Sequence, residues 1–269
     1  MKQMCALFGI SRAAFYAWAK RSAECDPDRE RMAWVEEAFQ RSHRTYGYRR
    51  IALWLQSRQG IRINGKAVLR LMNKLEIRPL ARRRRVYRAL ESMPAEHTYP
   101  NRLRRDFAAS RPNQKWVTDV TYIRTRQGWA YLAVIKYLFD GFIVAHQLSR
   151  DNSIGLVTRT LQLAKQKERK LEGLLLHSDQ GSQYRSDPYR VLTTTSGITP
   201  SMSRRGNCWD NAPMENFFSH LKEEALRSFR NPTFIEAQRM IDEYVHFFNY
   251  ERIQLKTRQT PYQLRCLSA

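Results

Sequence analysis

The sequence predicts an α/β domain with a mixed central sheet, preceded by a smaller all-α region. Three observations carry that expectation. Apolar residues before about position 78 recur at helical spacing; strand-like alternation starts near Gln114 and gives three meandering runs; helical and short apolar runs then alternate.

The first helical unit places Met4, Leu7 and Phe8 on one face of a helix from Lys2 to Phe8. Gly9-Ile10 supplies a turn, and Ser11 caps a second helix carrying Ala14, Phe15 and Trp18. Acidic, Pro-containing Glu24-Cys25-Asp26-Pro27-Asp28 breaks the chain, and a helix over 29–42 follows with Met32, Val35 and Phe39 inward. After Tyr46-Gly47-Tyr48-Arg49-Arg50, Ile51, Trp54 and Leu55 form the apolar stripe of another helix, ended by Gly60. Asn64 then caps a helix over 65–75 that buries Val68, Leu71, Met72 and Leu75 and leaves Lys66, Arg70 and Lys74 outside. A helix with one basic face behind a capped turn suits a DNA groove. A basic stretch over 79–112 includes Arg82, Arg83, Arg84 and Arg85 and reads as a linker that tracks phosphates with little base specificity.

Strands are expected over 115–124, 129–137 and 142–148, with turns at Gln127-Gly128 and Asp140-Gly141. A helix over 152–169 precedes an apolar strand at 173–178; a helix over 187–194, a short strand at 198–202 and helices over 211–227 and 233–248 complete the domain. Within this pattern stand three carboxylates: Asp119 in the alternating run Trp116 to Ile123, Asp179 after Leu174-Leu175-Leu176-His177-Ser178, and Glu215 opening an amphipathic helix. Acids gathered from two strands and a helix make an oxygen-lined site for a hard cation such as Mg²⁺. Two such ions can stabilise both oxygens of a phosphoryl displacement. Lys222 follows Glu215 by about two helical turns and shares its face, where it can meet a phosphate.

Charge names the partner. The chain has 47 Lys and Arg against 25 Asp and Glu, a net of +22, which attracts a phosphate backbone. Residues 1–112 hold 25 of those cations and only 10 of the acids, so the N-terminal half is the stronger polyanion binder. No apolar run is long enough to span a bilayer, and no lipidation signal accompanies the charge. Cys5, Cys25, Cys208 and Cys266 form no Cys-x-x-Cys pair and no disulfide framework, which argues against zinc and for reduced thiols.

Several longer runs carry a resemblance. His177-Ser178-Asp179-Gln180-Gly181-Ser182-Gln183-Tyr184 is one, and Arg205-Gly206-Asn207-Cys208-Trp209-Asp210-Asn211-Ala212 with Glu215 is another. Leu221-Lys222-Glu223-Glu224 and Phe248-Asn249-Tyr250-Glu251-Arg252 through Thr260-Pro261 follow in order. Together with Tyr46 to Arg50 they resemble the catalytic subunit, from the second reading frame, of bacterial insertion-sequence transposases, which are similar to retroviral integrases. The resemblance implies a ribonuclease-H-like integrase core over 113–269, preceded by a helix-turn-helix segment over 1–22 and a second helical DNA-binding domain over 29–78. It implies that Asp119, Asp179 and Glu215 are the Asp-Asp-Glu triad, holding Mg²⁺ or Mn²⁺, two ions per site. The implied chemistry is cleavage at the element's ends and strand transfer. Arg49, Arg50, Lys66, Arg70, Lys74, Arg82 to Arg85 and Lys222 are the expected DNA contacts. His177, Asn211 and Trp209 are candidates near the substrate, with structural packing, helix capping and core packing as their respective alternatives.

The family usually has an aspartate where this chain has Tyr137, outside the metal-binding three. The resemblance also implies element ends and target DNA as partners, a homo-oligomer on DNA, and an upstream-frame partner or a fused longer form. It implies a cytoplasmic, nucleoid-associated bacterial protein. The competing reading, from another class, is a DNA-binding regulator or decayed remnant with an idle triad; the intact triad favours the enzyme.

Overall fold

The computed structural model describes residues 1–23, 26–80, 98–168, 171–227, 229 and 231–267. The chain divides into two compact units, Met1–Pro79 and Leu80–Ala269.

The first unit is all-α: α1 (Lys2–Leu7), α2 (Arg12–Ala23), α3 (Arg29–Arg41), α4 (Tyr48–Gln59) and α5 (Gly65–Lys74). The expected punctuation is in place. The backbone N–H of Ala14 donates to Ser11 Oγ at 3.0 Å, and that of Lys66 to Asn64 Oδ1 at 2.8 Å, each satisfying a donor that the helix start leaves over. Gly60 ends α4 at φ 70°, where a side chain would strain the backbone. Val35, Phe39, Ile51, Leu55, Val68 and Leu71 form the core of α3 to α5. The N-terminal stripe differs from expectation. Leu7 and Phe8 are exposed and Cys5 is buried instead, because α1 has too few turns to seat a whole face.

The second unit is built on one five-stranded sheet in the order β3-β2-β1-β4-β5. Its strands are β1 (Lys115–Thr125), β2 (Gly128–Tyr137), β3 (Ile143–Ser149), β4 (Leu175–Ser178) and β5 (Thr199–Met202). The first three form an antiparallel meander, while β1, β4 and β5 run parallel. The helices are α6 (Ile154–Lys167), α7 (Asp187–Thr195), α8 (Ala212–Leu221), α9 (Phe234–Tyr250) and α10 (Pro261–Cys266). The helix expected over 211–227 changes character midway, since Lys222–Leu226 form a π turn after α8. A core of Trp116, Ala133, Ile135, Tyr137, Leu156, Leu161, Leu176 and Tyr189 lies between the sheet and α6 and α7. Across α8 and α9, Phe217 meets Phe248 edge-on with ring centroids 5.0 Å apart. The Asn249 side chain extends β3, accepting from the Ile143 N–H at 2.8 Å and donating to the Ile143 carbonyl at 3.1 Å.

Two further motifs have a structural reason. Arg252 and Glu224 form a buried bidentate pair with N–O distances of 2.6 and 2.9 Å, and Tyr244 Oη donates to the same carboxylate at 2.8 Å. Tyr137 is fully buried and packs edge-on against Trp116. The Arg265 guanidinium lies 4.1 Å over the Tyr137 ring and reaches Asp140 at 3.2 Å and Glu168 at 3.3 Å. The ring is thus held by stacking and charge, while its buried hydroxyl has no hydrogen-bond partner among the described residues. The described end of the expected linker also belongs to this unit: Leu103 is buried, and Ser201 Oγ accepts from the N–H groups of Arg102 and Leu103 at 3.0 and 3.2 Å. Among the described residues, no helix is long and apolar enough to cross a membrane.

Arg252 and His220 hold the Glu224 carboxyl down at about 2, against the cost of its burial. A depressed acid stabilises the fold fully above its ordinary value of 4.5 and loses that contribution as pH falls from there towards 2. Replacing Arg252 with Met strands the carboxylate and is expected to cost about 3–5 kcal/mol in urea unfolding at neutral pH, with most recovered in the Arg252→Met/Glu224→Gln double variant.

Candidate active site

β1 and β4 pair over only three residues, ending at Val117 opposite His177. Carrying that register two residues further sets Asp119 opposite Asp179, on the same face, where the parallel strands stop pairing. Both carboxylates are half-buried and each is held from its own loop or strand. The Val120 N–H donates to Asp119 Oδ1 at 2.7 Å, and the Gly181 N–H donates to Asp179 Oδ1 at 2.9 Å. Space is tight there: a Cβ on Gly181 would lie 3.0 Å from both Asp179 Oδ1 and Gln183 Oε1, so a larger residue would push on the carboxylate. Behind them, Tyr184 is buried with its hydroxyl 3.2 Å from Thr118 Oγ1.

α8 brings the third acid. Pro213 sits in its first turn, and Asn211 precedes it without a side-chain cap. The expected capping role gives way to another: Asn211 is buried and its Nδ2 donates to the carbonyl of Thr118 at 3.1 Å, tying α8 to the residue before Asp119. Asn211 Oδ1 finds no hydrogen-bond partner among the described residues. Glu215 lies exposed in the first turn of α8. Lys222, at the start of the π turn, donates from Nζ to Thr121 Oγ1 at 2.6 Å, two residues beyond Asp119 on the same strand face.

The charges of this site oppose one another. Burial raises Asp119 well above the usual carboxylate range, and the charges of Asp179 and Glu215 add to the rise; the Val120 N–H and Lys222 counter it. Burial likewise raises Asp179, against the Gly181 N–H and Arg185. Such a set is short of positive charge, and its donors are all carboxylate oxygens, the chemistry of a hard-cation site. The three are neighbours without being closed around a point. Among the described residues, no three His, Cys, Asp or Glu side chains are gathered closely enough to hold a metal ion.

The other candidates fall into place differently. His177 is fully buried, with Nδ1 2.8 Å from Ser201 Oγ and Nε2 3.0 Å from Ser203 Oγ, so in this structure it ties β4 to β5. Trp209 is 69% exposed, as a stacking side chain would be. Beside it, Asp210, which the sequence places at the start of α8, is a hub. It is buried and accepts from Arg204 and Arg105 at 2.8–2.9 Å and from Asn101 Nδ2 at 2.9 Å. Those guanidinium groups hold its carboxyl far below the usual range and fix the loop that leads into α8. Thr121, partner of Lys222, shares the face of Asp119 by alternation along β1.

In the first unit, the basic face of α5 is partly neutralised. Arg70 forms a bidentate pair with Asp28 at 2.6 and 2.9 Å, and Lys74 pairs with Asp26 at 2.5 Å, using the acidic breaker itself. Arg70 holds the Asp28 carboxyl down at about 2. Lys66 is exposed, and Arg49 lies 5.6 Å from the Tyr48 ring centroid, as Arg50 lies 5.8 Å from that of Tyr46. Arg82 to Arg85 lie outside the described residues.

Burial holds His177 neutral, lowering it from 6.5 to about 4. A histidine depressed on folding costs stability as pH falls below 6.5, and the loss stops growing near 4. The expected penalty at pH 5 is about 2 kcal/mol relative to pH 7; it should vanish from the wild-type minus His177→Gln difference in unfolding free energy measured across that range.

Comparison with known proteins gives this geometry a family. The Integrase core domain family matches residues 109–208 and 215–268, and the HTH-like domain family matches 26–85. The Insertion element IS600 uncharacterized 31 kDa protein of Shigella sonnei is 38% identical over 93% of this chain and 92% of its own length. The Putative transposase InsK for insertion sequence element IS150 of Escherichia coli K12 is 37% identical over 95% of this chain and 90% of its own. A chain of the simian T-cell lymphotropic virus intasome, solved in complex with PP2A regulatory subunit B56 gamma, superposes with a TM-score of 0.53 at 16% identity, over 86% of this chain and 74% of that one. The fold is therefore the ribonuclease-H-like α/β core of integrases behind a helical HTH-like region, and the chain belongs to the insertion-sequence transposases, proteins of DNA transposition.

Proposed function

We propose that this transposase cuts DNA at the ends of its element and joins them to a target at the site formed by Asp119, Asp179 and Glu215. The observation that carries the reading is that β1 and β4 stop pairing two residues before Asp119 and Asp179, with the charges of Asp179 and Glu215 both acting on Asp119. Asp119, Asp179 and Glu215 would hold Mg²⁺ or Mn²⁺, two ions in the full site, which when bound supply charge stabilisation at the scissile phosphate and ease deprotonation of the attacking oxygen. The mutual repulsion within the acid set is the force that a divalent cation relieves.

In the first step water attacks a phosphodiester at the element's end; one P–O bond forms, one breaks, and a 3′-OH is freed. In the second, that 3′-OH attacks a target phosphodiester and displaces its 3′ oxygen, so the number of phosphodiesters is conserved and no covalent enzyme intermediate arises. Lys222, held by Thr121 beside Asp119, is placed to neutralise a substrate phosphate. Asn211 and Gly181 position the strand and loop that carry the aspartates, and His177 holds the β4–β5 edge beneath them. Trp209 is set to stack on a base beside the loop that Asp210 anchors. Arg49, Arg50 and Lys66 present cations from the HTH-like unit, with Arg70 and Lys74 exchanging their acidic partners for phosphates on DNA; Arg82 to Arg85 add non-specific contacts. Joining two ends calls for at least two copies on DNA, with an upstream-frame partner or fused form completing end recognition. The cytoplasm, at the nucleoid, is where such a substrate lies.

Asp119→Asn, Asp179→Asn and Glu215→Gln are each expected to lower strand joining of labelled element ends in Mg²⁺ by roughly a hundredfold or more, while gel-shift affinity holds or tightens. Near wild-type joining by any one of them removes that residue from the site. Neutralising Arg82 to Arg85 together should flatten the slope of log affinity against log salt by up to about 3.6, with sequence preference unchanged. An unaltered slope means these arginines do not meet phosphate.

A further inference from the structure

Past Asp119, β1 runs on to Thr125 with no strand pairing on its β4 side among the described residues. Between this open edge and the chain from the π turn to Pro232 lies a cleft of about 710 Å³. Its walls include Tyr122, Arg124 and Trp129 from the β1–β2 hairpin and Lys222, Arg227 and Phe229 from the other side. The width is fixed at the far end. The Arg126 N–H donates to the Pro232 carbonyl at 3.0 Å, and the Phe234 N–H donates to Gln127 Oε1 at 3.0 Å.

Three large aromatic side chains here remain open to solvent: Tyr122 at 52%, Trp129 at 54% and Phe229 at 59%. Cross-strand packing explains part of their arrangement. Tyr122 meets Trp129 edge-on with centroids 6.3 Å apart, and the Arg124 guanidinium sits 5.2 Å from the Trp129 centroid. That packing leaves about half of each ring uncovered, a cost in apolar surface that a hairpin tip alone does not require. Among the described residues Glu223 is the only acid lining the cleft, and Arg227 engages it at 2.6 Å, so the described walls are net cationic. Aromatic faces interleaved with cations are the physical means of holding unpaired bases and their phosphates. The near end of the cleft is Lys222, whose charge already acts on Asp119. Ile123, on its floor, lies about 13 Å along the strand from Asp119, the scale of a few nucleotides.

We infer that this cleft binds a short unpaired DNA segment leading away from the scissile phosphate, with bases on Tyr122, Trp129 and Phe229 and phosphates at Lys222 and Arg124. The inference rests on the strand-transfer reading and adds that the DNA end is opened into single strand at the site. A strand from a second copy pairing with the β1 edge is the competing occupant, and the cationic lining favours DNA.

The test is fluorescence anisotropy with the full chain, without divalent ions, on a blunt duplex and on the same duplex carrying a short oligothymidylate overhang at either end. The wild type is expected to bind one overhang form about tenfold tighter than the blunt form. Tyr122→Leu and Trp129→Leu should erase that preference while leaving blunt-duplex affinity within about twofold, and Trp129→Phe should keep it. Circular dichroism and the urea midpoint establish that the variants fold. No overhang preference in the wild type, or an equal loss on both substrates in the leucine variants, overturns the inference. So does self-association that Trp129→Leu abolishes in a protein without overhang preference, which would assign the edge to a second copy. A protein that joins ends yet lacks the preference refutes this inference alone; one that shows the preference but cannot join ends refutes the catalytic reading instead.

Discussion

The organising constraint of the catalytic unit is a parallel pairing that stops early. β1 and β4 are bonded only from Lys115 to Val117 and Leu175 to His177, and both chains then carry an aspartate two residues on. Had the ladder continued, those side chains would lie on a closed sheet face under α8. Because it ends, a gap opens at the carboxyl end of β4, and polar groups can be held there without breaking the sheet. Burial raises both Asp119 and Asp179, and the charges of Asp179 and Glu215 add to the effect on Asp119. The fold tolerates this cost at one place and offsets it elsewhere.

The offsets are visible as buried carboxylates whose oxygens are matched by guanidinium groups. Glu224 and Arg252 join the π turn after α8 to the end of α9, and Asp210 gathers Arg105, Arg204 and Asn101 around the loop before α8. The helix carrying Glu215 is thus pinned on both sides by charge, while Asn211 fastens its start to β1. The π turn begins at Lys222 itself, the residue that bridges back to Thr121. A π turn inside a helix is a recurrent device where a side chain must be aimed at a site. Tyr137 obeys the same logic on the opposite face of the sheet. It offers a ring to Arg265, and the guanidinium finds its acids in Asp140 and Glu168.

The first unit shows a related economy of charge. Its acidic breaker, which reads in sequence as a mere interruption, folds back to neutralise two of the three basic residues of α5. A net of +22 over the chain is therefore not an evenly available field. Lys66 is exposed, and in the proposed DNA surface Arg70 and Lys74 must exchange their carboxylate partners for phosphates.

Local order was legible from the chain because it depends on neighbours in sequence. Alternation located β1, β2 and β3, helical spacing located α3 to α9, and Asn64, Ser11 and Gly60 marked ends that they do cap. The motifs likewise pointed to Asp119, Asp179 and Glu215; the β1–β4 register leads the two aspartates to the same place, and Glu215 comes from α8. What periodicity could not supply was the partner of each buried polar group. Asn211 bonds to Thr118, Glu224 to Arg252 and Asp210 to Arg105 across separations of 93, 28 and 105 residues, and which distant donor satisfies which acceptor is settled only when the layers pack. Nor could the pattern show that Leu7 and Phe8 stay in water, since a helical stripe is buried only where another element covers it.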